Sequence, residues 1–180
     1  MEREKDERMR RLELVRLAQQ KDVDAFTQLY EEISRDLYQT AYYCLRNQQD
    51  AEDVVSETVM AAWAQIGELR EAEAFRGWIF KILSNRCKTR LRQYVEKPLE
   101  LREDFSDLAE QGPTLGDSTA GSLDLRAALK KLVATDRMIL VLSVLEGYTT
   151  REVADMLHMN HATVRSRKSR AQEKLAEMLA

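Results

Sequence analysis

The chain has 180 residues, of which 44% are hydrophobic and 33% are charged, with only six glycines and two prolines. This composition is typical of a helical globular protein and excludes collagen-like and broadly disordered chains. The net charge of -3 argues against a uniformly basic coat for nucleic acid, so any DNA-binding surface must be local.

The cysteines and the N-terminus indicate a reducing, cytoplasmic compartment. Cys44 and Cys87 lie far apart without a CxxC spacing, and both fall in apolar helical segments that predict buried, unreactive thiols. The first eleven residues are charged and contain no apolar signal core. No run approaches the length of about 18 apolar residues that a membrane span requires, so we expect no insertion into a membrane.

Four amphipathic helices are predicted in the first half, which we assign to a domain of residues 1–95. Apolar residues at three- and four-residue spacing mark the first two helices: Met9, Leu12, Val15 and Leu17, then Phe26, Leu29, Tyr30, Ile33 and Leu37. Asp50 is the predicted N-cap of a third helix that ends at Gly67. A fourth helix begins at Phe75 and closes the domain near Tyr94.

The start of the third helix is acidic. Its carboxylates, with no basic residue among them, are Asp50, Glu52, Asp53 and Glu57. Such a cluster can bind a metal for hydrolysis, but no His or Cys joins it and no nucleophile is evident. Acidic residues also favour the first turn of a helix through its dipole. We therefore predict a surface for a basic protein partner, without a metal or another cofactor.

The fourth helix carries a basic stripe. Its cations are Arg76, Lys81, Arg86, Lys88, Arg90 and Arg92, followed by Lys97. Phe75 and Trp78 at its start have two interpretations: they stack on unpaired bases, or they belong to the core, which is the commoner role of aromatics at helical spacing. For Trp78 we favour core packing.

Residues 96–122 have the composition of a flexible linker. Both prolines and three of the six glycines fall here, and the segment contains seven acidic residues but only two basic ones. We expect this segment to be extended, with a short helix possible around residues 99–108.

Residues 123–180 form the second predicted domain. Ser122 is a candidate cap for a helix with Leu125, Leu129 and Leu132, and a second helix ends at Gly147. Thr149 and Glu152 have the spacing of a capping box that opens a short helix through Leu157. Asn160 is the predicted cap of the last helix.

The sequence from Thr150 to Arg170 has the layout of a helix-turn-helix. Ala154 suits a close crossing of two helices, with Val153, Leu157 and Val164 filling the angle between them. His158 stands where many such motifs have a glycine in the left-handed conformation. His158 and His161 have no nearby third ligand, so we assign no zinc site.

The last helix carries the predicted duplex-binding surface. Donors and positive charge are supplied by Thr163, Arg165, Ser166, Arg167, Lys168 and Arg170. Arginine reaches guanine edges bidentately or holds phosphates. An ordinary solvated helix face is the alternative, which the adjacent turn motif disfavours.

Three segments in this order resemble bacterial sigma factors of the extracytoplasmic-function (ECF) group, sigma-70 family. They are DAEDVVSETVMAAWAQI, FRGWIFKILSNRCKTRLR and the terminal TVRSRKSRAQEKL. The resemblance covers nearly the whole chain and implies an all-α fold: two small helical domains joined by a flexible acidic linker, with a C-terminal helix-turn-helix.

The resemblance also implies partners for each surface. Core RNA polymerase would contact Asp50, Glu52, Asp53 and Glu57. The minus-10 promoter element would be melted and held by the fourth helix, with Arg76, Trp78, Lys81, Asn85, Arg86, Lys88 and Arg90. The minus-35 duplex would bind Thr163, Arg165, Ser166, Arg167 and Arg170. An anti-sigma factor is a further expected partner, and no small-molecule substrate is expected.

Two other classes of protein fit parts of the sequence. A helix-turn-helix regulator that binds duplex DNA without polymerase accounts for the C-terminal third only. An enzyme acting on DNA is disfavoured because no catalytic constellation can be assembled from the sequence.

Overall fold

A computed structural model of the chain describes residues 2–96, 125 and 127–179. Every regular element in these ranges is helical, which confirms the all-α class. The predicted linker falls almost entirely outside the described residues, as do the short helix around residues 99–108 and the cap at Ser122. The exact domain limits stay a prediction.

Four helices build the N-terminal domain: α1 (Glu2–Gln19), α2 (Val23–Leu45), α3 (Gln48–Gln65) and α4 (Phe75–Glu96). Most of the apolar side chains that mark them in the sequence point into one core, where Val15 and Leu37 are almost completely buried, whereas Met9 of α1 is exposed. This interior stripe is the reason that four amphipathic segments form a bundle.

The caps of α2 and α3 fix where these helices begin. The Asp22 carboxylate accepts a hydrogen bond from the amide of Ala25 at 2.9 Å. The prediction of Asp50 as the cap of α3 is wrong, because Asn47 is the N-cap and its side chain accepts from the amide of Asp50 at 2.8 Å. Asp50 instead lies in the first helical turn, where the helix dipole favours a carboxylate.

The end of α3 differs in detail from the prediction at Gly67. The helix ends at Gln65 and tightens into a 3₁₀ turn, Ile66–Glu68, so Gly67 lies inside a turn and not in a left-handed cap. A second 3₁₀ turn, Ala72–Ala74, leads directly into α4.

The C-terminal domain contains helical residues at 125 and 127–130, then α5 (Ala134–Leu140), α6 (Thr150–Leu157) and α7 (His161–Leu179). A π-helical turn, Val141–Leu145, extends α5, and Gly147 follows it with a φ of 75°, as expected for a helix end. The capping box of Thr149 and Glu152 is confirmed.

The two domains pack against each other through α2 and α4. Helix α4 lies on α6, and α2 contacts α5 with its π-helical extension. Buried apolar residues of both domains belong to one continuous core.

Arg137 joins the domains near the end of α2. Its guanidinium, from α5, donates to the carbonyl of Cys44 at 2.8 and 3.3 Å and to the carbonyl of Leu132 at 3.0 Å. Because α2 has no basic residue in its last turn, Arg137 supplies positive charge at the negative end of that helix dipole. Arg137 is nearly inaccessible to solvent, and this burial is the main reason that its pKa is lowered.

Candidate nucleic-acid interface

The helix-turn-helix has the geometry that its sequence predicts. Val153, Ala154, Leu157 and Val164 are buried between α6 and α7. His158 adopts the left-handed conformation, with φ 51° and ψ 50°, and its amide donates to the carbonyls of Ala154 and Asp155. The side chain of Asn160 accepts from the amide of Ala162 at 2.8 Å, as predicted for a cap. This turn fixes the angle at which α7 leaves α6.

Most predicted duplex-binding residues on α7 are open to solvent. Thr163, Arg165, Ser166 and Arg170 are exposed, while Val164 and Ala171 pack inward. Arg167 differs, because its guanidinium donates to the carboxylate of Asp136 on α5 at 2.9 Å. Arg167 therefore lies at the border between the exposed face and the interior of the domain.

The predicted polymerase surface and the predicted minus-10 surface meet in one network of ion pairs. Arg90 of α4 lies 2.8 Å from Asp50, 3.3 Å from Glu57 and 4.0 Å from Asp53. Arg86 donates to Glu57 at 3.1 Å. No local sequence pattern indicates this pairing, because the partners are 29 to 40 residues apart.

The exposed edge of this network consists of Glu52 and Asp53. The Asp53 side chain is 53% exposed, and Glu52 accepts a hydrogen bond from Gln48 at 3.0 Å on the same helix. A cavity of about 220 Å³ lies beside the ion pairs and is lined by Glu57, Asn85, Arg86, Thr89, Arg90 and Gln93. Asn85 is thus one of three uncharged hydrogen-bonding residues that line the cavity beside three charged ones.

The aromatic residues at the start of α4 are split between core and surface. Phe75 is buried, while Trp78 is half-buried and packs at the edge of the core, 6.2 Å from the ring of Phe75. The predicted core packing of Trp78 therefore holds for one part of its ring, while the rest is open to solvent. Lys81, one turn further, is exposed.

Arg76 is the centre of a polar cluster between the domains. Its guanidinium donates to Asp36 at 2.9 Å within the N-terminal domain, and to Glu146 and the Tyr148 hydroxyl, both at 2.9 Å, from the C-terminal domain. Thr40 donates to the other oxygen of Glu146 at 2.8 Å. Burial acts to lower the pKa of Arg76, but the hydrogen bonds to Glu146 and Asp36 outweigh it and the pKa rises.

Lys88 makes a second polar contact between the domains. Its ammonium donates to the carbonyl of Leu157, at the end of α6, at 2.5 Å. Burial lowers the pKa of Lys88, and the neighbouring charge of Arg92 adds to this effect. Glu146, Tyr148, Asp136 and Arg137 are functional candidates that the sequence did not reveal, since their partners lie 31 to 106 residues away.

The family models match the two halves separately. Residues 29–95 match sigma-70 region 2, and residues 122–175 match sigma-70 region 4. The fold and its two basic surfaces therefore define a sigma-70-type protein, in which α4 lies in region 2 and the helix-turn-helix in region 4.

Relatives extend this similarity to nearly the whole chain. The ECF RNA polymerase sigma factor SigM of Mycobacterium tuberculosis (strain H37Rv) is 30% identical over 155 residues, which cover 86% of this chain and 77% of SigM. The RNA polymerase sigma factor NccH of Alcaligenes xylosoxydans xylosoxydans is 32% identical over 174 residues, which cover 92% of this chain and 92% of NccH. The chain belongs to the ECF RNA polymerase sigma factors of the sigma-70 family.

Two solved structures share the fold. The sigma factor RpoE of Bartonella quintana, crystallised with the anti-sigma factor NepR, has a TM-score of 0.69 and 26% identity over 87% of this chain and 98% of its own. CnrH, solved with the cytosolic domain of CnrY, has a TM-score of 0.66 and 25% identity over 94% of this chain and 97% of its own.

Among the helices of the described residues, none is long and apolar enough to cross a membrane.

Proposed function

We propose that this chain binds core RNA polymerase and directs it to promoters by contacting two DNA elements. The presence of two separate basic surfaces in one chain, on α4 and on α7, is the observation that carries the proposal. A duplex-binding regulator needs only the second surface.

The proposed polymerase contact is the acidic start of α3. Asp50 and Glu57 hold Arg90 and Arg86, whereas Asp53 and Glu52 present carboxylates to solvent. Exposed carboxylates attract a basic partner surface and accelerate its association. We therefore assign Glu52 and Asp53 to direct contact, and Asp50 and Glu57 to positioning of the two arginines.

The proposed minus-10 contact is α4. The cationic residues attract the DNA backbone, and the exposed part of Trp78 offers a surface on which an unpaired base can stack. Flipping bases out of a duplex costs a few kcal/mol each, so a melting surface needs both kinds of contact. The remaining predicted members are Arg76, Lys81, Asn85, Arg86, Lys88 and Arg90.

The proposed minus-35 contact is the exposed face of α7, with Thr163, Arg165, Ser166 and Arg170. The Asp136 contact supports a positioning role for Arg167, in place of the predicted DNA contact. This role is compatible with a helix that enters the major groove by its N-terminal half.

We also infer that an anti-sigma factor regulates the chain, since two structural relatives were solved with the cytosolic domain of CnrY and with NepR. The proposed activity is binding without catalysis, in the cytoplasm where polymerase acts.

Transcription in vitro tests the function. Purified bacterial core polymerase is given a library of genomic fragments with and without this protein, and RNA 5′ ends are mapped. We expect new start sites that share two spaced upstream elements. If an active core gives no new starts, the duplex-binding regulator becomes the better interpretation.

A further inference from the structure

We propose that α1 braces the connection between α3 and α4, with Gln19 as the residue that positions the start of α4 for minus-10 recognition. The inference rests on the proposed function, because it takes α4 with Trp78 as the minus-10 contact. It deepens that function by assigning a role to α1, which lies before the residues that match sigma-70 region 2.

The connection, residues 66–74, is not held by side-chain caps of its own. It contains the two 3₁₀ turns, Ile66–Glu68 and Ala72–Ala74. Neither Gln65 nor Glu71, which stand at the N-caps of these turns, makes a side-chain capping hydrogen bond. Because 3₁₀ turns have poorer hydrogen-bond geometry than α-helices, we expect the shape of this connection to depend on contacts from other elements.

Gln19, the last residue of α1, makes the central contact. Its side-chain amide donates to the backbone carbonyl of Leu69 at 2.6 Å in a half-buried site. Leu69 follows the first 3₁₀ turn, and its side chain is buried in the core, as is that of Ile66. A backbone carbonyl outside a regular helix needs a partner from elsewhere in the chain or from water, and Gln19 supplies one.

Two more side chains from α1 and its end contact residues on either side of this bond. Lys21, just after α1, donates to the carbonyls of Trp63 and Ala64 at 2.8 and 3.3 Å. Since α3 has no basic residue in its last turn, Lys21 supplies the positive charge that favours this helix end. Arg8 lies 2.5 Å from Glu73, but both side chains are more than half exposed, so this ion pair contributes little.

The connection leads directly into α4, so its conformation sets where α4 begins. The amide of Phe75, the first residue of α4, donates to the carbonyl of Ala72 in the second 3₁₀ turn. Trp78 lies one turn further, with part of its ring open to solvent. A binding site selects its ligand when its groups are held to within about 0.5 Å. Loss of the Gln19 contact should therefore loosen this end of α4 and weaken the preference for one base over another.

Substitution of Gln19 tests the brace. Gln19→Met keeps the length of the side chain but removes the donor, while Gln20→Met makes the same change at the neighbouring, exposed position. Hydrogen exchange of residues 66–74 in the full chain reports on the connection. Transcription by core polymerase from single-base variants of both promoter elements reports on discrimination. Circular dichroism checks folding, and Gln19→Ala replaces the first variant if it does not fold.

We expect Gln19→Met to accelerate exchange in residues 66–74 and to reduce discrimination among bases of the minus-10 element by about 2- to 10-fold, the range that one hydrogen bond of ordinary net strength supplies. Discrimination at the minus-35 element should stay the same, because α7 is not in contact with this connection through any of these bonds. Gln20→Met should leave both properties unaltered.

Unchanged exchange in Gln19→Met would overturn the brace. Faster exchange with unchanged minus-10 discrimination, or with an equal loss at both elements, would overturn the positioning role of Gln19. Absence of start sites with the unmodified protein would instead remove the proposed function, and the exchange experiment would still report on the contact between α1 and the connection.

Discussion

Arg165 and Arg170 leave α7 in different directions. Helical residues are about 100° apart, so Arg170 shares a face with Thr163 and Ser166 and lies about 140° from Arg165 around the axis. Both arginines are exposed. The face that carries Thr163, Ser166 and Arg170 is therefore the better candidate for contacting the base edges on the floor of the major groove.

Arg170→Ala is therefore expected to relax discrimination at one base position of the minus-35 element by about 1–3 kcal/mol. Arg165→Ala should instead weaken binding to all sequences similarly, as loss of a phosphate contact does. Transcription from a set of single-base minus-35 variants measures both effects. A uniform loss for Arg170→Ala would remove it from the base-reading residues.

The two thiols are buried and free, as predicted. A hydrogen bond with Cys44 raises the pKa of Cys87 well above its usual value, and burial adds to the shift. A raised pKa lowers the thiolate fraction at a given pH, and only the thiolate reacts with alkylating agents. Both effects favour an inert thiol.

We expect Cys44 and Cys87 to resist iodoacetamide at mildly alkaline pH in the folded chain and to react fully in denaturant. Mass spectrometry of the alkylated protein measures the extent. Rapid modification of Cys87 in the folded chain would contradict the buried, hydrogen-bonded environment.

At the scale of elements, the start of α6 depends on its capping box. The amide of Thr149 donates to Glu152 at 2.7 Å, and the hydroxyl of Thr149 accepts from the amide of Glu152 at 3.3 Å. These bonds satisfy two groups that an eight-residue helix otherwise leaves unpaired.

Thr149→Ala should lower the free energy of unfolding by about 1 kcal/mol, the usual effect of losing a Thr cap. Thr149→Ser keeps the hydroxyl and should stay close to the unmodified protein. Urea denaturation followed by circular dichroism compares the two variants. Equal losses would show that the methyl group of Thr149, and not the cap, stabilises α6.

The ion pairs between α3 and α4 join the proposed polymerase contact to the proposed minus-10 contact. Asp53 lies at the exposed edge of the pairing and is 4.0 Å from Arg90, so its charge contributes little to stability. Its reversal is therefore expected to change binding and not folding.

Asp53→Lys should weaken binding to core polymerase, because it replaces an attractive charge with a repulsive one at the proposed interface. Glu177→Lys is the matched control on the other domain. A competition assay against unmodified protein gives the affinities, with circular dichroism as a check of the fold. Unchanged affinity for Asp53→Lys would remove α3 from the polymerase surface.

At the scale of the molecule, Arg137 connects the domains through the backbone carbonyl of Cys44. Arg137→Met keeps much of the side-chain volume but removes the donors to Cys44 and Leu132. An acceptor that loses its donor in a buried site costs about 1–3 kcal/mol. Separation of the domains returns the Cys44 carbonyl to water, so the substitution should favour opening.

The expected result for Arg137→Met is faster hydrogen exchange in the last turn of α2, by about 5-fold or more, with unchanged helix content. Arg35→Met, an exposed substitution on the same helix, should leave this exchange rate unaltered. Unchanged exchange in both variants would show that the hydrogen bonds of Arg137 do not hold the two domains together.

The amino-acid sequence by itself determined the features that depend on neighbouring residues. Apolar spacing gave the helices, Thr149 with Glu152 gave the start of α6, and His158 gave the left-handed turn, since each involves partners within about four residues. Asp50 failed as a cap because Asn47, three residues earlier, offers the same kind of acceptor.

Only the tertiary structure decided which charges meet. Arg76 and Glu146 are 70 residues apart, and Arg167 and Asp136 are 31 apart. No sequence pattern distinguishes these residues from the other charged residues of the chain, because long-range pairing depends on how amphipathic helices pack. The sequence thus predicts which surfaces are charged, whereas packing of the two domains decides which of those charges are already bound within the chain.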